Sequence, residues 1–486
     1  MWQTTAVKTT WTPRALVVGS GLAGLECALG LGTRGWQVDV LSPGRVGRDG
    51  ATHRLHALAP WVLLSAPWVR GDSPERFLAD LKRRGQGDER DGLAEVLAAE
   101  AHPAARHLIE TLDLVPVEPE PAILPGDEVP RGMRCLPRNR HVLLAPLLKR
   151  CEAAGVRLRG RTLAVGLLAE AGRVTGLLII DRGRGTPERL YGDAVVLACG
   201  GVGAVFPVTT APRWTRGSGL ALASAGGALL HRPELTQALP VTATPPMFFP
   251  TSAALLSSRI QINGHAMAPG RDLEAVTWEI AEALRRGARV SLEVSSEGAA
   301  MLPPRAREAA AVRGEGRVAL TLAMHHAIGG VATDAWGRTS LPGFYACGEA
   351  AGGVQGRRRT MGTGLLEATI FGKRAARAAS GDIVRTGPGA AAGEVLAPPV
   401  PLDPAVLEER LDALMGPLVA VRPAEAVASA LREIGGWPVK AGTGVDEKGA
   451  LAGIRRQAAI AVLSGENERS RVSGMVLGLR AGAQDP

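Results

Sequence analysis

Ala15-Leu16-Val17-Val18, followed by Gly19-Ser20-Gly21-Leu22-Ala23-Gly24, decides how this chain begins to fold. Four apolar residues bounded by glycine read as a short buried strand. The run to about residue 34 has helical periodicity, and Gln37-Val38-Asp39-Val40-Leu41 reads as a second strand. The three glycines differ in what they allow. The first permits a tight turn, the second lets backbone N–H groups reach a pyrophosphate, and the third lets helix and strand pack closely. In this strand-turn-helix-strand setting the pattern predicts a Rossmann-like α/β dinucleotide-binding unit, with Gly19, Ser20, Gly21, Leu22, Ala23 and Gly24 at the ligand. The acid that commonly ends the second strand and holds a ribose is missing, and Ser42-Pro43 stands there.

Two further segments carry the same kind of signal. Residues 192–201, GDAVVLACGG, form a buried strand ending in Gly200-Gly201, and TTAPRWTRGSG follows a few residues later, with Ser218 between Gly217 and Gly219. Residues 325–379 hold HHAIGG, then LPGFYACGEAAGG, then GTGLLEATIFGKRAARAA. Residues 344–347 read as a strand running into a glycine turn. The last stretch starts a helix whose first amides are placed to face an electron-rich group.

Together these segments resemble the flavoproteins of the L-aspartate oxidase and succinate dehydrogenase/fumarate reductase family. The resemblance implies an α/β fold in which a Rossmann-like FAD-binding domain (1–229 and 325–384) is interrupted by an α+β capping domain (230–324). A linker (385–402) and a C-terminal helical domain (403–486) follow. Within the capping and C-terminal regions the sequence itself shows one clear helix at 273–286 and helical runs near 405–415, 424–434 and 449–463. The implied cofactor is non-covalent FAD, held by the Gly19–Gly24 turn, Ala51, Thr52, Gly200, Gly201, Ser218, Glu349, Gly364 and Leu365. Histidines 53 and 56 lie near the flavin-contacting stretch, but neither has the Ser-His-Thr setting of the branch that attaches flavin covalently.

Dicarboxylate chemistry beside a flavin needs cations for the carboxylates and a group that moves a proton at the reacting carbon. Ala268-Pro269-Gly270-Arg271-Asp272-Leu273 matches the family's proton-transfer motif with one inserted glycine, which makes Arg271 the catalytic candidate. His325 matches a carboxylate-binding histidine, with His326 where tyrosine is usual. Arg359 matches a carboxylate-gripping arginine within Gln355-Gly356-Arg357-Arg358-Arg359, and Ser257 keeps a hydroxyl of a third motif. A solvated arginine loop and a helix-start Arg-Asp pair are the plain structural alternatives for two of these. Elsewhere the pattern departs: Leu239 replaces a substrate-binding histidine, Val241 a threonine, and both acids of the Ser257 motif are gone. Each lost hydrogen bond to a carboxylate is worth on the order of 1–3 kcal/mol, so weak affinity for aspartate is expected.

Three readings follow. The leading one is FAD-dependent oxidation of L-aspartate to iminoaspartate, with oxygen or fumarate as acceptor, in de novo NAD biosynthesis. The others are a fumarate reductase or succinate dehydrogenase-like oxidoreductase, and a flavin-binding protein that has lost this catalysis.

Composition narrows the field. The 486 residues are 46% hydrophobic, enough for a large core. Five cysteines without C-x-x-C spacing argue against a zinc or disulfide framework. The net charge of +9 comes mostly from dispersed arginines, and aromatic content of 3% leaves little on which to stack bases. Nucleic acid is therefore not expected as a partner, and the charge suits a small anionic substrate. No leader-like apolar core opens the chain and no apolar run approaches the ~20 residues of a membrane span, so the expected location is the cytoplasm.

Overall fold

The computed structural model describes residues 11–58, 61–124, 127–138, 143–243, 259–267, 273–293, 317–382, 394–417, 423–440 and 446–469. The strand Arg14–Val18 lies at the centre of a five-stranded parallel sheet. Ala194–Leu197 and then Phe344–Ala346 flank it on one side, with Gln37–Leu41 and then Arg157–Arg159 on the other. All three segments singled out in the sequence thus become neighbours, although the outermost start 330 residues apart (344 less 14).

Successive strand residues face opposite sides of a sheet, and here both sides are buried. Ala15, Val17, Val38, Val40, Ala194 and Val196 join Leu25, Leu31 and Ile370 in a helix-side core. Their alternates, Leu16, Val18, Leu41, Val195, Leu197 and Phe344, pack against Leu167, Val174, Leu177 and Ile179. The latter residues come from an antiparallel sheet of Glu394–Leu396, Thr162–Glu170, Arg173–Asp181 and Pro187–Tyr191. Burial on both faces explains why the central strands read as continuous apolar runs instead of alternating ones.

On the helix side, Leu22–Gly32 packs against Gly364–Gly381. Close approach depends on small residues: a Cβ at Gly372 would lie 2.6 Å from the Ala23 carbonyl oxygen, and one at Gly30 would lie 2.8 Å from the Ala376 methyl.

A second antiparallel sheet runs in the order Thr236–Thr242, Arg317–Ala327, Val290–Glu293, Arg259–Ile262, His265–Ala266. The helix Leu273–Arg285 covers it with Val276, Ile280 and Ala281, within one core that also holds Leu292 and Leu320. The strand Arg317–Ala327 spans position 324/325 and is followed by Gly330–Ala332, which pairs with Leu230–His231 and Ala351–Gly352 in a separate three-stranded sheet. Three helices close the described chain: Pro404–Met415, Ala424–Gly436 and Glu447–Arg469. Arg455, 4% exposed, ties them to the rest through Glu408, Asp412 and the Val205 carbonyl.

The helix pair yields a prediction. Gly372→Val forces a branched side chain into backbone contact and should lower stability by about 3 kcal/mol; a melting temperature within a degree of wild type would contradict the packing described.

Candidate active site

Gly19 has φ +118°, and a Cβ there would collide with the Ala198 carbonyl at the end of the neighbouring strand. Only glycine lets the turn fold back so tightly. The turn opens the helix Leu22–Gly32, whose cap residue Gly21 supplies no side-chain hydrogen bond. The helices Ser218–Ala225 and Gly364–Gly381 likewise start at Gly217 and Thr363 without side-chain caps. Residues at all three starts line one cavity of about 290 Å³. Three helix N-termini whose own cap residues supply no side-chain bond bring their first turns and positive dipole ends to a common wall, an arrangement that suits an anionic or electron-rich ligand.

The cavity wall contains Gly19, Ser20, Gly21, Leu22, Ala23, Ala51, Thr52, Gly200, Ser218, Glu349, Gly364 and Leu365. Gly24 and Gly201 are set back from it. Gly24 packs against the Gly19 carbonyl, and a Cβ at Gly201 would lie 2.5 Å from Glu349 Oε1, so each serves close packing behind the wall. Thr52 Oγ1 accepts from the Leu22 N–H at 3.3 Å, and Ser20 Oγ accepts from the Gly47 N–H at 3.0 Å. His53 is not among the lining residues, and the His56 side chain lies outside the described residues.

His325, His326, Arg359, Gln237, Leu239 and Met361 line the same cavity. The two histidines lie at the end of the strand Arg317–Ala327 instead of in a turn. Its pairing with Thr236–Thr242 slips by one residue: Gln237 faces His326 while Ala238 faces Met324, which leaves His325 unmatched. A bulge re-aims a side chain, and this one lets two consecutive residues line the same cavity.

The Thr210 hydroxyl lies 2.8 Å from His325 Nδ1. Burial, aided by the Arg359 charge, pushes His325 down to about 3, and burial with the same charge and His325 holds His326 well below the ordinary histidine range. His326 Nδ1 is 3.3 Å from Glu349 Oε1, which also accepts from the Ala327 N–H at 2.9 Å. Burial raises the Glu349 carboxyl to about 7 against that N–H bond and Arg359.

Arg359 rides on a turn that is pinned from within. Buried Gln355 accepts from the Thr360 N–H at 2.9 Å and donates to Thr363 and Glu367, while Arg357 pairs with Asp88 at 2.5 Å. The arginines therefore diverge: Arg357 braces the turn and Arg359 enters the cavity. Burial lowers the Arg359 pKa against Glu367 and Glu349.

Three buried polar atoms on residues of the cavity wall have no hydrogen-bond partner among the described residues: Arg359 Nε, Gln237 Oε1 and Trp214 Nε1. Buried polar atoms are normally paired, so these fit a site completed by a ligand. Arg271 and Ser257 lie outside the described residues; Leu273, the first described residue after Arg271, lines the cavity. Trp214, Leu163, Ala164 and Met361 also line the cavity without being marked by the sequence, although Trp214 lies within the TTAPRWTRGSG segment.

The histidine burial has a measurable consequence. Below pH 6.5 the unfolded chain protonates at His325 while the folded chain resists until about pH 3, so this stability is full above 6.5 and falls as pH drops through that window. His325→Asn should therefore lose less stability than wild type between pH 6.5 and 4 in denaturant titrations. Parallel curves would contradict a buried neutral imidazole.

Comparison with known proteins agrees with this geometry. The family model described as "FAD binding domain" matches residues 14–275 and 292–365. The chain is 31% identical over 432 residues to an L-aspartate oxidase of Caulobacter vibrioides, covering 80% of this chain and 78% of that protein. It is 30% identical to an L-aspartate oxidase of Halobacterium salinarum, covering 76% of each. Among solved structures, Mycobacterium smegmatis Sdh1 in complex with UQ1 superposes with a TM-score of 0.77 at 21% identity, over 94% of this chain and 87% of that one. The chain thus belongs to the FAD-binding-domain family of flavoproteins, in the family of the L-aspartate oxidases.

Proposed function

We propose that this protein is an FAD-dependent oxidoreductase that converts L-aspartate to iminoaspartate for de novo NAD synthesis, with oxygen or fumarate taking up the electrons. The observation that supports this most is the meeting of His325 and Arg359 in the cavity onto which the helix N-termini open. The Gly19–Ala23 turn, Thr52, Gly200 and Ser218 would hold one end of FAD, and Glu349, Gly364 and Leu365 the other. FAD, when bound, supplies the two-electron acceptor.

The chain's own residues bind and orient the amino acid. Arg359 is permanently charged, and its Nε lacks a partner among the described residues, so its planar fork is available to a carboxylate. His325 is neutral at physiological pH. In the tautomer whose Nδ1 accepts from the Thr210 hydroxyl, the ring proton is on Nε2, where a neutral imidazole can donate to a carboxylate oxygen. Arg271 is assigned the proton transfer and Ser257 a carboxylate contact, both from their motifs. Leu239 presents an apolar wall at a position where the family binds substrate through histidine, which supports weak affinity.

The purified protein should be yellow and should release FAD on denaturation, since His53 does not line the cavity. Flavin retained by the denatured chain would point to a covalent link instead. Anaerobic L-aspartate should bleach the flavin band. Arg271→Lys should slow bleaching more than it weakens binding, whereas Arg359→Ala should chiefly raise KM, because it holds the carboxylate in ground and transition states alike. Leu239→His should tighten aspartate binding by roughly 1–3 kcal/mol. An unchanged spectrum with aspartate, succinate and fumarate, in wild type and Leu239→His alike, would overturn the proposal in favour of a flavin-binding protein without this chemistry.

A further inference from the structure

The ribose-holding acid of a dinucleotide fold is absent after Leu41, yet the cavity extends to that point, with Ser42, Pro43, Leu163 and Ala164 in its wall. Trp214 lies there too. Two guanidinium groups lie over its ring: the Arg182 carbon is 4.6 Å from the ring centroid and the Arg213 carbon 4.7 Å. Arg182 is itself fixed, donating to the Pro43 carbonyl at 2.8 Å and to Glu447 at 2.5 Å. A Cβ at Gly44 would lie 2.6 Å from the Trp214 indole nitrogen, so glycine at 44 lets the ring approach.

The indole N–H is buried and has no hydrogen-bond partner in the described structure. Indole nitrogen is a donor only, and cations over its ring draw electron density from it, which strengthens that donor. The nearby carboxylate in the wall, Asp49, is already engaged by Arg45 through its backbone N–H at 2.8 Å and its guanidinium at 2.8 and 3.1 Å. The unpaired donor lies beside Gly44, on a residue of the cavity wall that also holds the Gly19–Ala23 turn suited to a pyrophosphate.

We infer that Trp214, with Arg182 and Arg213 each over its ring, anchors the adenosine-diphosphate half of FAD through its indole N–H, in place of the missing acid at the end of the second strand. The inference rests on FAD being the cofactor and adds a residue to its site. A donor replaces an acceptor, so the contact moves from a ribose hydroxyl, which donates to an acid, to an oxygen that can only accept or is rich in charge.

Titration of apoprotein with FAD, ADP and FMN, followed by calorimetry, tests this without reference to turnover. Trp214→Phe keeps an aromatic ring and the two arginines and removes the N–H. It should weaken FAD and ADP by about tenfold or more, the scale of a hydrogen bond to a charged group, and leave FMN, which lacks the adenosine half, within about twofold. Arg213→Gln, at an exposed position, should weaken FAD by a smaller factor of about three by the same scale. Unchanged FAD and ADP affinity in Trp214→Phe would overturn the inference. So would an equal loss for FMN with a lowered melting temperature, which would mark a purely structural residue. Wild-type apoprotein that binds no FAD would remove the cofactor reading, and this inference with it.

Discussion

Backbone N–H groups at the start of a helix need partners, and three helices here begin without side-chain caps at the wall of one cavity. Ordinary helix starts use Ser, Thr, Asp or Asn to accept those hydrogens, as Ser73 and Asp403 do elsewhere in this chain. At the cavity the cap residues Gly21 and Gly217 have no side chain to offer, and the Thr363 hydroxyl is engaged by Gln355 and the Thr360 carbonyl instead of the helix start. The parallel sheet makes the convergence possible, because its strands all end at the same edge and deliver their following turns there. Orphaned polar atoms on Arg359, Gln237 and Trp214 extend the same logic to side chains.

Much of this was legible in the sequence because steric necessity leaves a compositional trace. Gly19 cannot be replaced without meeting the Ala198 carbonyl, and Gly372 cannot without meeting Ala23, so the glycines that announce the fold are also those that build it. The central strands were legible as apolar runs because both of their faces are buried. The pattern does not separate roles equally well: Gly24 and Gly201 belong to the same motifs as the wall residues yet stand behind the wall.

What stayed hidden depends on contacts between distant residues. The slipped register that brings His325 and His326 to one cavity has no local signature, since it arises from pairing with residues 237 and 238. The triple arginine reads as a solvated loop until Asp88 and Gln355 fix its turn. Trp214 looks like a chance aromatic until Arg182 and Arg213 come to lie over its ring. Motif residues replaced by Leu239 and Val241 keep their places on the strand, because a strand tolerates an apolar side chain wherever its backbone pairing is kept, while the substrate contact depends on the side chain.

A crystal structure of the protein loaded with FAD and succinate would test most directly whether one cavity holds both cofactor and carboxylate. The expected result places the pyrophosphate at the start of Leu22–Gly32, the flavin ring beside Glu349 and Gly364, and a succinate carboxylate on Arg359 and His325. Succinate bound away from Arg359 and His325, or a flavin ring that does not reach Glu349 and Gly364, would contradict the assignment of this cavity as the active site.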